Sequence, residues 1–370
     1  KISFSLWFFY VLYMVQLLVL VWSGYGVNED SFPADWCYTM NFRTAEGGGA
    51  LLVFSSVVLF KCRRYILSFF VPSTIAELDP AERRELRISS FLFLFGSLAI
   101  IVLLWLGMKA NLGWSIFVYL ILLLITIGLI RAVAEGGILG FQAFANPFHF
   151  VRTCVGMKAS WTAPHFFAPL MIFYSIFFFD LKTFIAPAMA NVIKIREDLH
   201  MKRARFHVAI ILGLGIAVLV AIFTEVAMSY AKGADNMNGW FHTGFPRMQF
   251  GQIASMVKAP PEVTPGNRLW VVAGAALMGA LLYFRQTCFW LPHPLGLIML
   301  VNPIMRTYWF SILLGWIGKS LVTKYGSKDT YDRTKGFFIG LIVGELIIVM
   351  LAFLLAITHD IHSQIDLNRN

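Results

Sequence analysis

The chain has 370 residues, of which 58% are hydrophobic, 16% aromatic and only 14% charged, and its mean hydropathy is +0.72. Soluble domains carry about 45–50% apolar and about 25% charged residues, so this composition excludes an ordinary cytosolic enzyme, a disordered chain and a collagen-like fibre. Only a bilayer can solvate so much apolar surface, and membrane lipid is the first expected partner. The net charge of +10 would point to nucleic acid in a soluble domain. Here the Lys and Arg residues lie in short stretches between apolar runs, which is an orientation signal, and no nucleic acid partner is expected.

A hydrocarbon core about 30 Å thick takes about 20 apolar residues of helix. Eight runs reach that length: 2–22, 47–66, 88–108, 113–131, 163–181, 206–230, 269–289 and 335–358. The first starts directly after Lys1 and reaches Trp22 without a signal-peptide cleavage site, so it reads as a true span, with further sequence expected upstream. Trp22, Tyr65, Trp114, Trp161, Tyr230 and Trp270 sit near run ends, where amphipathic rings favour the interface. Asp79-Pro80-Ala81-Glu82 supplies an N-cap carboxylate, a proline at the first helical position and a capping-box acid ahead of the third run.

Basic residues then orient the spans. Lys61, Arg63, Arg64, Arg83, Arg84 and Arg87 put 61–87 in the cytoplasm, whereas 23–46 sets Arg43 against Glu29, Asp30, Asp35 and Glu46 and faces outward. The basic connectors 182–205 and 319–335 stay cytoplasmic only if the chain crosses once more within about 132–157, a segment broken by Gly136, Gly137, Gly140 and Pro147. Both flanks of 290–318 are then cytoplasmic. Its two short halves, 295–301 and 304–317, meet at Asn302-Pro303 and read as a re-entrant hairpin; one proline-kinked span is the competing reading. Within the 182–205 connector, Ile185, Met189, Val192, Ile195 and Leu199 form one apolar stripe, as in a helix lying at the membrane surface. Residues 230–268, rich in Gly and Pro, form the outer polar loop. The expected fold is all-α: one integral-membrane domain over 1–370, a polytopic transmembrane helix bundle of about 8–10 spans, each about 20 residues, with a re-entrant hairpin and an interfacial amphipathic helix.

Few polar groups are left inside the apolar runs. Ala45-Glu46-Gly47-Gly48 recurs as Ala134-Glu135-Gly136-Gly137, each with an arginine just upstream, Arg43 and Arg131. Weak symmetry between glycine-interrupted apolar segments points to a transporter's site, with the acid holding a proton or cation; a chance tetrapeptide is the plain alternative. Glu225 and Glu345 lie deeper in their runs, where a charge costs about 2.5–3.5 kcal/mol, so each reads as an ion relay or a structural carboxylate facing a neighbour. Gly336, Gly340 and Gly344 make a small-residue packing face ending beside Glu345, and Ala273, Gly274, Ala276, Gly279 and Ala280 make another. In the hairpin, His293, Asn302 and Arg306 are the polar groups available for an ion or an anionic solute.

The four cysteines, Cys37, Cys62, Cys154 and Cys288, have no CxxC spacing, and the eight histidines form no ligand pattern, so no metal or other cofactor is expected. No Walker motif, GxSxG elbow or HExxH occurs, and no nucleophile–base pair supports an enzyme.

The opening ISFSLWFFY, Arg131-Ala132-Val133-Ala134-Glu135-Gly136, His293-Pro294-Leu295-Gly296 with Trp309-Phe310, and Gly315-Trp316-Ile317-Gly318-Lys319 resemble the C-terminal part of an uncharacterised family of bacterial polytopic membrane proteins. That family is itself distantly similar to oligopeptide-transporter-type carriers. The resemblance implies a longer parent chain, helical hairpins within the bacterial inner membrane, and proton-coupled uptake of a small peptide-like solute. The alternative is a structural or accessory subunit packed against other membrane subunits, or against copies of itself, in a larger complex.

Overall fold

The computed structural model describes residues 1–24, 40–70, 80–137, 145–156, 163–176, 185–233, 236–237, 239–259, 265–302 and 305–358. Among them no strand occurs. Helix α1 covers Ile2–Trp22 and α2 Phe42–Lys61, the latter started by Asn41, whose side chain accepts from the Thr44 N–H at 2.9 Å. After α3 (Arg63–Phe70), α4 (Pro80–Val102) begins on its proline with Glu82 in the first turn and runs on through a π-helical turn at Leu103–Gly107. The cap expected from Asp79 falls outside the described residues.

Helix α5 (Leu112–Gly136) is capped by Asn111 and stopped by Gly137, whose φ of +63° is the left-handed conformation that favours glycine. Short α6 (Pro147–Cys154), α7 (Pro164–Ile176) and α8 (Ile185–Asp198) follow, then the 30-residue α9 (Arg203–Lys232). A π turn at Trp240–Gly244 leads into α10 (Phe245–Lys258), so the expected outer loop has a helix of its own. Helix α11 covers Pro265–Phe284; α12 (Pro294–Ile298) ends in a 3₁₀ turn at Met299–Val301; α13 (Met305–Tyr325) and α14 (Lys328–Thr358) are the last described helices.

Among the described residues seven helices are long and apolar enough to cross a membrane: α1, α2, α4 with its π turn, α5, α9, α11 and α14. Of the run at 163–181 the structure describes α7, with 13 residues and about 20 Å of rise; residues 177–181 lie outside the described residues.

The bundle is built around α2. Helix α11 lies beside it and runs in the same direction: Asn267 Nδ2 donates to the Met40 carbonyl at 2.8 Å, Trp270 packs on Phe42, and Gly274 lies against Glu46. A Cβ on Gly49 would run into the Val271 carbonyl, and one on Gly274 into the Glu46 carbonyl. The two backbones therefore touch, which only glycine permits. On another side, Gly128 of α5 rests on Ser55 and Leu51.

Helices α12 and α13 form a hairpin along α1. At its base Lys1 Nζ donates to the Phe289 carbonyl at 2.7 Å, and the His293 N–H donates to Ser5 Oγ. Gly296 then packs onto the Ser5 carbonyl. The tip reaches α2, where Arg43 Nη1 donates to the Asn302 carbonyl at 2.9 Å while its guanidinium lies 5.8 Å from the centre of the Tyr13 ring. Helix α13 returns: Trp309 stacks on Tyr10 at 5.9 Å, and Trp316 meets Trp7 and Phe4 at 5.4 and 5.5 Å. The returning arm is 21 residues long, so the hairpin is lopsided rather than made of two short halves, and α13 continues past its base to Tyr325.

A second return lies between α5 and α7. The Asn111 N–H donates to the His165 carbonyl at 2.9 Å and Trp114 Nε1 to the Phe166 carbonyl at 2.8 Å, so α7 begins where α5 begins. Gly137 and the start of α7 thus stand at opposite ends of α5, which is about 38 Å long, and α6 is buried, with Phe150 against Gly48. At the opposite end of α5, Glu85 of α4 gathers Arg196 of α8 at 2.6 Å and Arg203 and His207 of α9, both at 3.1 Å. This ion cluster brings the basic stretches 80–87 and 196–207 to one end of the molecule. Cysteines introduced beside Lys202 and Lys328 are therefore expected to be labelled by an impermeant maleimide from the same side as cysteines beside Arg64. Labelling from opposite sides would overturn the extra return between α5 and α7.

Helices α4, α9 and α14 are almost wholly exposed within this chain. The small-residue face at Gly336, Gly340 and Gly344 finds no neighbour among the described residues of this chain: a Cβ at any of the three would meet nothing within 4 Å. Helix α8 keeps Pro187 and Arg196 buried and leaves Ile185, Ile195 and Leu199 of its apolar stripe exposed.

Candidate functional site

The first turn of α2 is polar in sequence and closed to solvent in the fold. Asn41, Arg43, Thr44 and Glu46 are all buried. Asn41 holds the turn by accepting from Thr44 through both its N–H and its hydroxyl, at 2.9 and 3.0 Å, and the Thr44 hydroxyl also reaches the Asn41 carbonyl. Three consecutive glycines follow, each serving a different neighbour around the helix. Gly47 makes room for Leu300 and Val301 of the hairpin, Gly48 for Met40 and Phe150, and Gly49 for Val271 of α11. The glycines thus do not break the helix as their number implies; they let three elements converge on its first two turns.

Two charged groups of α2 stand at this convergence. Arg43, 2% exposed, clamps the carbonyl of Asn302, itself 1% exposed, and so holds the tip of the hairpin against α2. Glu46 is 3% exposed. Its Oε1 accepts from Gln16 Nε2 of α1 over 3.5 Å, while its Oε2 is enclosed without a hydrogen-bond partner among the described residues. A cationic donor thus secures the hairpin, and one turn away an acid retains an unused acceptor in a site where ionisation is costly.

Of the residues singled out from sequence, Glu46 and Asn302 come together here. Glu135 does not join them. It sits in the last turn of α5, paired with Arg131 on its own helix, and Gly137 after it forms a left-handed cap. The two Ala-Glu-Gly-Gly segments are consequently not equivalent: one starts a helix and the other ends one. His293 caps α12 at the base of the hairpin, its Nδ1 accepting from the Leu295 N–H at 3.3 Å, with Glu135, Arg131 and Arg285 near enough to act on it electrostatically. Arg306 is exposed on the first turn of α13. Glu225 is half exposed on α9 with His242 Nε2 at 3.4 Å, and Glu345 is exposed on α14. Among the described residues Glu46, Glu135 and Glu345 stand apart: they belong to the bundle centre, a helix end and an outlying helix respectively.

Gln16, Asn41 and Asn267 are the site residues that sequence reasoning passed over. Gln16 had a usable signal, being the one amide in the apolar run from Ile2 to Trp22. Asn41 could have been recognised as a cap directly before a small-residue helix start.

A bundle of long apolar helices with a buried polar centre defines a polytopic α-helical integral membrane protein. The chain belongs to the DUF6785 family, a family of unknown function whose profile it matches over residues 1–366. No curated protein and no solved structure matches it.

Proposed function

We propose that this protein is a secondary carrier of the bacterial inner membrane that takes up a small peptide-like solute together with a proton. The observation that carries the reading is Glu46, a buried acid with a free acceptor, standing beside the tip of a hairpin that enters the bundle and turns back. Carriers bind substrates and coupling ions where helices are interrupted inside the membrane, and an intramembrane acid is a natural proton site. The solute class rests on the motifs read from the sequence, which resemble a family distantly similar to oligopeptide-transporter-type carriers.

Uptake by purified protein in proteoliposomes tests it. A pH gradient should drive accumulation of a labelled di- or tripeptide, and Glu46→Gln should abolish the dependence on the gradient. Glu345→Gln should retain it, because Glu345 lies outside the bundle centre. Gradient-driven flux of the wild-type kind in Glu46→Gln would sink the assignment.

One observation favours the alternative, an accessory subunit: α4, α9 and α14 offer extensive surface that this chain does not cover. A native complex of fixed stoichiometry with other membrane subunits, and no flux from either, is the result that reading requires.

A further inference from the structure

We propose that Glu46 is held as the neutral acid in a head-to-head pair with the side-chain amide of Gln16, and that the pair is a site for one proton. The inference concerns the same site as the carrier reading but does not require that the protein transport anything.

The donors and acceptors of the two side chains do not match while Glu46 is ionised. Gln16 Nε2 donates to Glu46 Oε1, setting the amide of α1 against the carboxyl of α2. Each side chain has one further oxygen, Glu46 Oε2 and Gln16 Oε1. Both are closed off from solvent and neither has a hydrogen-bond partner among the described residues. An ionised carboxylate and an amide present three acceptor oxygens between them, with only the amide N–H groups to donate. Two idle acceptors shut off from solvent each carry a desolvation cost.

A proton on Oε2 removes both deficits at once. The new O–H donates to Gln16 Oε1, the amide N–H continues to donate to Glu46 Oε1, and a cyclic acid–amide pair with two hydrogen bonds is closed. The single covalent change is the O–H bond formed at Oε2, and the charge of the side chain goes from −1 to 0. Rotating the amide by half a turn exchanges the roles of the two carboxyl oxygens and leaves the count unchanged, so the conclusion does not depend on how the amide is oriented.

The surroundings fix the partners in place. The Glu46 backbone is pinned by its contact with Gly274, and α1 is anchored at both levels of the hairpin, through Ser5 at the base and Tyr13 at the tip. Gln16 is therefore a positioning residue for the proton on Glu46: it supplies the acceptor that the acid form needs.

Infrared difference spectroscopy of the protein in lipid tests the pair directly. At neutral pH a protonated-carboxyl stretch is expected that shifts down in D2O and disappears in Glu46→Gln. In Gln16→Leu the same band should persist at higher frequency, because the hydrogen bonds to the acid are lost. Should Glu46→Gln fail to fold, carboxyl-¹³C glutamate in the wild-type protein identifies the band by its isotope shift, and Gln16→Leu alone then decides.

Carboxylate bands only, an acid band indifferent to Gln16→Leu, or an acid band that Na⁺ converts to carboxylate at constant pH would each overturn the proposal. The last result would mean that a metal cation, not a proton, fills the gap between the two oxygens. Flux with an ionised Glu46 would overturn the pair and leave the carrier standing. A stable acid–amide pair in a protein without flux would do the reverse.

Discussion

Alanine at Gly49 or Gly274 should cost this protein a large part of its stability, while alanine at Gly336, Gly340 or Gly344 should cost it nothing. All five glycines lie in helices, and propensity alone favours alanine at each by up to about 1 kcal/mol. What separates them is the space beside the backbone. A methyl group at Gly49 meets the Val271 carbonyl, and one at Gly274 meets the carbonyl of Glu46, whereas the three positions on α14 face open space within this chain. Backbone cannot rotate aside as a side chain can, so α2 and α11 must separate along their whole contact. Overpacking of this kind costs about 1–3 kcal/mol, and the rigid neighbours put both sites at or above the top of that range. Unfolding of reconstituted protein in mixed micelles, followed by tryptophan fluorescence, should show early midpoints for the first two variants and unchanged ones for the α14 set. Equal losses in both groups would mean that α14 is packed against something as tightly as α2 is.

Replacing Arg43 by methionine, which keeps the reach of the side chain and removes the guanidinium, should release the tip of the hairpin. The lost hydrogen bond has a charged donor and a fully enclosed carbonyl acceptor, so its removal costs about 1.5–3 kcal/mol. The cation–π contact with Tyr13 is lost with it. Lysine should not restore the wild-type behaviour, since an ammonium lacks the planar fork that meets Asn302 and covers the Tyr13 ring together. Hydrogen exchange by mass spectrometry should show faster exchange across Met299–Asn302 in Arg43→Met. The α2–α11 contact, which the close approach of Gly49 and Gly274 to the facing backbone makes, should remain protected. Unchanged exchange at the tip would show that the clamp does not hold the hairpin.

The contrast between the two glycine rows also shows how far sequence reading reaches in a membrane protein. Long apolar runs announce a helix wherever they occur, so α1, α5, α9 and α11 are legible from length and hydropathy. The break at Asn302-Pro303 and the sign of the flanking charges mark where the chain turns back along α1. Which face of a helix meets a neighbour is a different matter. Gly336, Gly340 and Gly344 form a more regular small-residue row than Gly47, Gly48 and Gly49, and yet only the second set is enclosed. In lipid the apolar residues of a buried face and of an exposed face are the same, so the pattern that separates inside from outside in soluble helices is missing. The same degeneracy explains Glu345. Its place at mid-run matches that of a buried acid, but the position of its helix is set by contacts elsewhere in the chain. The polar centre is legible only where the chemistry is local, as at the Asn41 cap. The pairing of Gln16 with Glu46 joins residues 30 positions apart, and no periodicity records it.

The hairpin of α12 and α13 has both of its covalent connections at one end of its slot. Phe289 enters beside Lys1, and α13 leaves past Phe4, so among the described residues the chain enters and leaves the slot on one side. Such an element is tethered but not threaded. It can be fitted into the bundle after α1, α2 and α11 have already packed, and it can be drawn back along its own axis without any other helix being unlinked first. The order of assembly is thereby relaxed. The helices that cross from side to side are committed by their direction of insertion, whereas this one piece can be seated last, on Ser5, Gly47 and Arg43, against a wall that is already complete.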